Sequence, residues 1–150
     1  MTVTDKNAYI QENAKESKRL RDLALRVSNT QLALLLPNGW SVAATFAHLA
    51  FWDLRQMAVL KKWIKDGVDD VKIIPQAVDS INEAVHTLAE AIPPQSAVAL
   101  AVYAAGLIDQ LLEDITPELA TQIEKSGNER LLRRSLHRKT HLDKIEKALG

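Results

Sequence analysis

The sequence predicts an all-α fold, on three observations. Apolar residues recur at alternating three- and four-residue steps in one segment after another, which is the period of a helix with one buried face. Helix-starting residues such as Ser41, Pro75 and Thr116-Pro117 stand at the head of those segments, and groups such as Leu36-Pro37-Asn38-Gly39 and Ser126-Gly127-Asn128 separate them. No stretch shows the two-residue alternation of a half-buried strand, and there is no internal repeat.

Size and composition narrow the class. A chain of 150 residues with 47% hydrophobic residues fits a single domain, 1–150, able to bury a core without staples. The absence of cysteine excludes disulfides, a cysteine nucleophile and thiolate metal sites, and leaves histidine and carboxylates as the strong metal ligands. Nineteen Lys and Arg balance nineteen Asp and Glu, so no global field favours nucleic acid or a membrane surface. The N-terminus lacks the apolar core of a signal peptide, and polar residues interrupt the longest apolar stretches short of a spanning length of about 20 residues. The expectation is a soluble, cytoplasmic protein.

The first helix is expected from about Thr4 to Val27, with Asp5 in its first turn and a stripe of Tyr9, Leu20, Leu23 and Val27. Asn13 and Glu16 fall on the same stripe, either partly solvated or facing an internal polar site. A short helical turn is expected over Gln31 to Leu36, then a tight turn at Leu36-Pro37-Asn38-Gly39. Ser41 caps a second long helix running to about Asp66, stopped by Gly67 and Asp69-Asp70. On it Val42, Phe46, Leu49, Trp52, Leu60 and Trp63 share one broad face. After a linker around Val68 to Ile74, Pro75 opens a helix with the stripe Val78, Ile81, Val85, Leu88 and Ile92. Pro93-Pro94 closes it and starts a helix from about Gln95 to Ile115 that is apolar almost all round. Such a helix is either central or covered by a second subunit, and we expect a homodimer. A short helix follows Thr116, and the last helix follows Asn128.

That last helix carries the chemistry. His137 and His141 are one turn apart on one face, the spacing at which two imidazoles hold one metal ion. The best third ligand is His48, at the margin of the apolar face of its own helix, so that histidines from two helices can meet at the rim of one cleft. Asp53 falls inside the apolar face of the same helix. It reads equally as a carboxylate paired with an arginine and as a catalytic group that orients a histidine or takes a proton. His86 points away from its stripe and reads as a surface residue. Arg130, Arg134 and Arg138 flank the histidine face. They are either a solvated, salt-bridged face or a site for an anionic co-substrate, with Arg134 the candidate contact. There is no glycine-rich phosphate loop and no Gly-x-Ser-x-Gly elbow.

Gly39-Trp40-Ser41-Val42 followed by Phe46-Ala47-His48-Leu49-Ala50, with a terminal His137-Arg138-Lys139-Thr140-His141-Leu142 and Ile145 behind it, resembles the DinB/YfiT-like superfamily. The resemblance covers the chain from the first helix to the end. It implies a four-helix bundle with one or two short extra helices, often dimeric, in which His48, His137 and His141 hold a divalent ion, nickel or zinc. It further implies a thiol-dependent S-transferase that uses a small thiol such as mycothiol or bacillithiol on a small electrophilic substrate. A metal-dependent hydrolase, or a binding and resistance protein of the ClbS/DfsB type without turnover, are the alternatives.

Overall fold

The computed structural model describes residues 5–69 and 74–150; Thr4 and Asp70, named above as helix boundaries, lie outside them. Among the described residues there are eight helices and no strand: α1 Lys6–Arg26, α2 Asn29–Leu32, α3 Val42–Asp66, α4 Pro75–Glu90, α5 Pro94–Asp114, α6 Pro117–Lys125, α7 Glu129–Leu132 and α8 Arg134–Leu149. The four elements α1, α5, α3 and α8 pack in a ring, each against two of the others, and α4 lies along α3.

Most boundaries are local chemistry. Asp5 is the N-cap of α1 rather than part of its first turn, its side chain accepting from the Asn7 amide. Ser28 and Gln31 form a reciprocal capping box, so α2 starts two residues earlier than the spacing of its apolar residues suggests. Ser41 caps α3 through the Ala44 amide, and Thr116 caps α6 through the Leu119 amide. The turn before α3 is closed by Leu36 N–H to Trp40 O and by an isolated bridge between Leu35 and Ser41. Gly39 there has φ 87°, a left-handed conformation that suits glycine.

The end of the chain departs from the expectation of one continuous final helix. Arg133 breaks it with φ −102° and ψ 70°, and the cause is tertiary. Asn13 on α1 is buried; its Nδ2 donates to Leu132 O at 2.8 Å, and its Oδ1 accepts from Ser135 N at 2.8 Å. One side chain thus takes up the last carbonyl of α7 and caps the first turn of α8. Glu16 is also buried, bonded to Arg19, which reaches across to Asp143 and Glu146 on α8.

Two apolar layers stack along the helices. One joins Leu20 and Leu23 of α1, Phe46 and Leu49 of α3, Ala101 of α5 and Leu142 of α8. The other joins Tyr9, Leu60, Trp63, Ile108 and Leu112 to Ile123 and Leu132. In chain position on α1, α3 and α8 the buried polar residues Asn13, Ser17, Asp53, Arg134 and Arg138 fall between the two layers. α5 passes the length-and-composition test for a membrane span, where no stretch was expected to. Its packing against α3 and α1 buries Ala97, Val98, Ala101, Ala104, Ala105 and Ile108, but only 39% of that apolar window is buried in all.

Candidate metal centre

His48 lies in a part of α3 where every residue from Val42 to Ala50 is buried, so it is more enclosed than a residue at the margin of a stripe. His137 and His141 project toward it from α8. The three rings converge, with centroids 5.1 Å (His48–His137), 4.6 Å (His48–His141) and 4.7 Å (His137–His141) apart. One nitrogen from each lies within 4.8 Å of the others, so the group could hold a metal ion. The nearest approach is His48 Nε2 to His137 Nε2 at 3.1 Å. Two nitrogens about 2.1 Å from a common ion at angles of about 90° to 109° stand roughly 3.0 to 3.4 Å apart, so that pair fits one ion without rearrangement.

Electrostatics favour neutral rings. Burial pushes His48 down to about 4, with His141 and Lys144 adding repulsion. Burial likewise pushes His141 down to about 4, with Lys144 adding to it, and His137 lies lower still because Arg134 stands beside it as well. The rings therefore present lone pairs, the form in which imidazole ligates. His137 Nδ1 faces Arg134 Nη2 at 3.4 Å. A guanidinium only donates, so Nδ1 is the acceptor there, and Nε2 carries the proton shared with His48. For His137 to hold an ion through Nε2, the ring's one proton would have to sit on Nδ1 instead, where Arg134, which only donates, could not bond it. His48 Nδ1 is buried with no partner among the described residues, so its ring lacks the outer hydrogen bond that ligating histidines usually make.

Beneath the histidines lies an ion-pair network. Arg138, wholly buried, holds Asp109 with two bonds, Nη1 at 2.9 Å and Nη2 at 2.8 Å, and Asp53 through Nη2 at 3.2 Å. Arg134 Nε donates to the other Asp53 oxygen at 2.8 Å, and its Nη1 to Arg130 O. Two arginines thus face two aspartates with no net charge. For Arg138, burial works against the charge, and Asp53 and Asp109 more than offset it. Two sequence expectations change here. Asp53 does not line the cleft; with both oxygens bonded to arginines it reaches His137 only through Arg134, so it is the arginine-paired carboxylate. Arg134 does not line the cleft either, because Asp53 draws it into the polar layer, where it is 3% exposed.

The histidines open onto a cleft of about 600 Å³ lined by Asn38, Trp40, Thr45, Trp52, Val78, Asn82 and Arg130 as well. His86 is not a bare surface residue. Its ring stacks on Trp40 with centroids 4.5 Å apart and planes at 19°, while the other contact of Trp40 is an edge-to-face one with His48 at 5.4 Å. Trp52 is tied by its indole N–H to Asn82 Oδ1 at 2.8 Å. Sequence reasoning placed Trp52 on the apolar face of the helix that carries His48 and missed Asn82. The available signal was its position one turn after Val78 and one turn before His86 on the same helix.

Fold and site together define an all-helical protein with a three-histidine cluster that could bind a metal ion. Comparison of the chain with protein-family models, with curated proteins and with solved structures finds no match.

Proposed function

We propose that the chain is a metal-dependent enzyme of the DinB/YfiT-like kind, a four-helix bundle with short extra helices in which His48, His137 and His141 hold one divalent ion, nickel or zinc. It transfers a small thiol such as mycothiol or bacillithiol to a small electrophile. The observation that carries the reading is the convergence of three imidazoles from two helices, one nitrogen from each within 4.8 Å of the others, at a cleft large enough for a small molecule. Three neutral ligands leave positions open on an ion, as catalytic sites do. When bound, the ion supplies Lewis acidity, lowering the pKa of a thiol or a water at those positions.

The chain's own residues do the rest. It has no cysteine, so the thiol comes from outside. Burial, and then Arg134, held beside the ring by Asp53, keep His137 neutral. Trp40 and Trp52 wall the cleft on its apolar side and exclude water from the substrate. The protein acts in the cytoplasm, as a homodimer whose interface uses the outer face of α5, where Tyr103 is 61% exposed.

The test is metal analysis of protein made without a histidine tag, followed by loading with nickel or zinc and assay with each thiol and a model electrophile. Turnover that needs the thiol and is lost in His48→Ala supports transfer. Turnover without thiol assigns a hydrolase, metal binding with no turnover assigns a binding protein, and equal rates in His48→Ala remove the ion from the mechanism.

A further inference from the structure

The cleft has a polarity that the histidines alone do not set. Asn38 Oδ1 accepts from Trp40 N at 3.0 Å, and Asn82 Oδ1 accepts from the Trp52 indole at 2.8 Å. Both of those partners can only donate, so the orientation of each amide is determined: the oxygen is engaged and the NH₂ is free. Thr45 spends its hydroxyl proton on Ser41 O. The Trp40 indole N–H has no partner among the described residues, and neither has the Arg130 guanidinium. Among the described residues no carboxylate lines the cleft. Apart from the imidazoles, the uncommitted nitrogen groups of those residues are therefore all donors, and the one formal charge among them is positive. Arg55, outside the cleft lining, lies over the Trp52 ring at 6.0 Å and has Gln56 as its one hydrogen-bond partner among the described residues.

We infer that the cleft takes an organic carboxylate with a flat apolar body, its oxygens bonded by Arg130 and the Asn82 amide and its body lying against Trp40 and Trp52. A planar carboxylate matches the guanidinium fork, and amide N–H groups complete its remaining lone pairs. The aromatic walls are immobilised in advance, Trp40 by its ring contacts with His86 and His48, Trp52 by Asn82, which lowers the ordering cost of binding a flat molecule. Beside the imidazoles, the acceptors left for a cationic or donor-rich ligand are the remaining lone pairs of Thr45 Oγ1, Asn38 Oδ1 and Asn82 Oδ1, and none of these carries a negative charge to match a cation. This deepens the reading of the site as one for small molecules, and it names the substrate class.

The probes are benzoate, its neutral isostere benzamide, and benzylamine, titrated into metal-free protein so that any preference belongs to the chain's own donors. Binding is read from the three indole N–H signals by nuclear magnetic resonance, with Trp63, whose indole bonds Asp69, as the internal control. Benzoate is expected to move the Trp40 and Trp52 signals and not that of Trp63, to bind at least tenfold more tightly than benzamide, and to leave benzylamine without measurable binding. Asn82→Asp keeps the acceptor for Trp52 and turns the free donor into an acceptor; it should weaken benzoate at least tenfold and admit benzylamine. Arg130→Gln should narrow the gap between benzoate and benzamide. Equal affinity for benzoate and benzamide, or an unchanged preference in Asn82→Asp, would overturn the inference. Zinc uptake is measured separately by calorimetry. Protein that takes up zinc but shows no carboxylate preference refutes this inference alone, and protein that prefers benzoate but takes up no zinc refutes the metal reading alone.

Discussion

Replacing Arg138 by Met tests the polar layer on which the histidines rest. In the native chain two buried arginines meet two aspartates. Arg138→Met leaves Arg134 on Asp53 and leaves Asp109 with Ser17 Oγ alone, and it removes the hydrogen bonds to Asn13 O and Ser17 Oγ as well. Methionine fills much of the volume, so the loss is mainly one of charge. Breaking a buried pair costs about 3–5 kcal/mol; Asp109 is 19% exposed and water can reach it, which puts the expectation at the lower end, about 3 kcal/mol. In a chain of this length that lowers Tm by roughly 6–12 °C. The assay is urea unfolding with a thermal scan on metal-free protein. The control is Arg138→Met with Asp109→Asn, which returns the layer to one arginine and one charged aspartate and should recover more than half of the loss. A single variant within about 1 kcal/mol of the native chain, or a double variant as unstable as the two single losses added, would refute the charge argument.

Because burial holds His48 and His141 near 4, metal affinity should stay flat from pH 7 to about 5 and collapse near 4, a course that calorimetry at several pH values checks. The same shifts make metal-free protein acid-labile. The folded pKa lies below the unfolded value of about 6.5, so the stability is fully present above 6.5 and is lost as pH falls toward 4, which urea midpoints across that window will show. Asn13→Ala removes a cap and strands the Leu132 carbonyl, with an expected loss of about 2 kcal/mol and faster hydrogen exchange at the Ser135 amide. Sedimentation at tens of micromolar should show a dimer that Tyr103→Lys dissociates; a native monomer would retire the α5 interface.

Much of this protein was written locally. Ser41 and Thr116 cap the helices that follow them, Pro75 and Pro117 sit in first turns, and Gly67 and Gly127 stop helices with positive φ, because these effects act over a few residues and need no partner from elsewhere. The spacing of His137 and His141 and the presence of His48 on another amphipathic helix named the cluster from sequence alone, since a helix turn fixes which residues share a face. What sequence could not supply was the pairing of faces. Arg130, Arg134 and Arg138 are alike in sequence, yet Arg138 is wholly buried, Arg134 nearly so, and Arg130 remains exposed at the cleft, because only the first two face Asp53 across the α3–α8 contact. The break at Arg133, the stack of His86 on Trp40 and the bond from Trp52 to Asn82 likewise join residues distant in sequence. Helical periodicity sets the angle of each side chain about its own axis; the packing of one axis against another decides which neighbour it meets, and with it whether a charge is a surface group, a buried strut or a ligand contact.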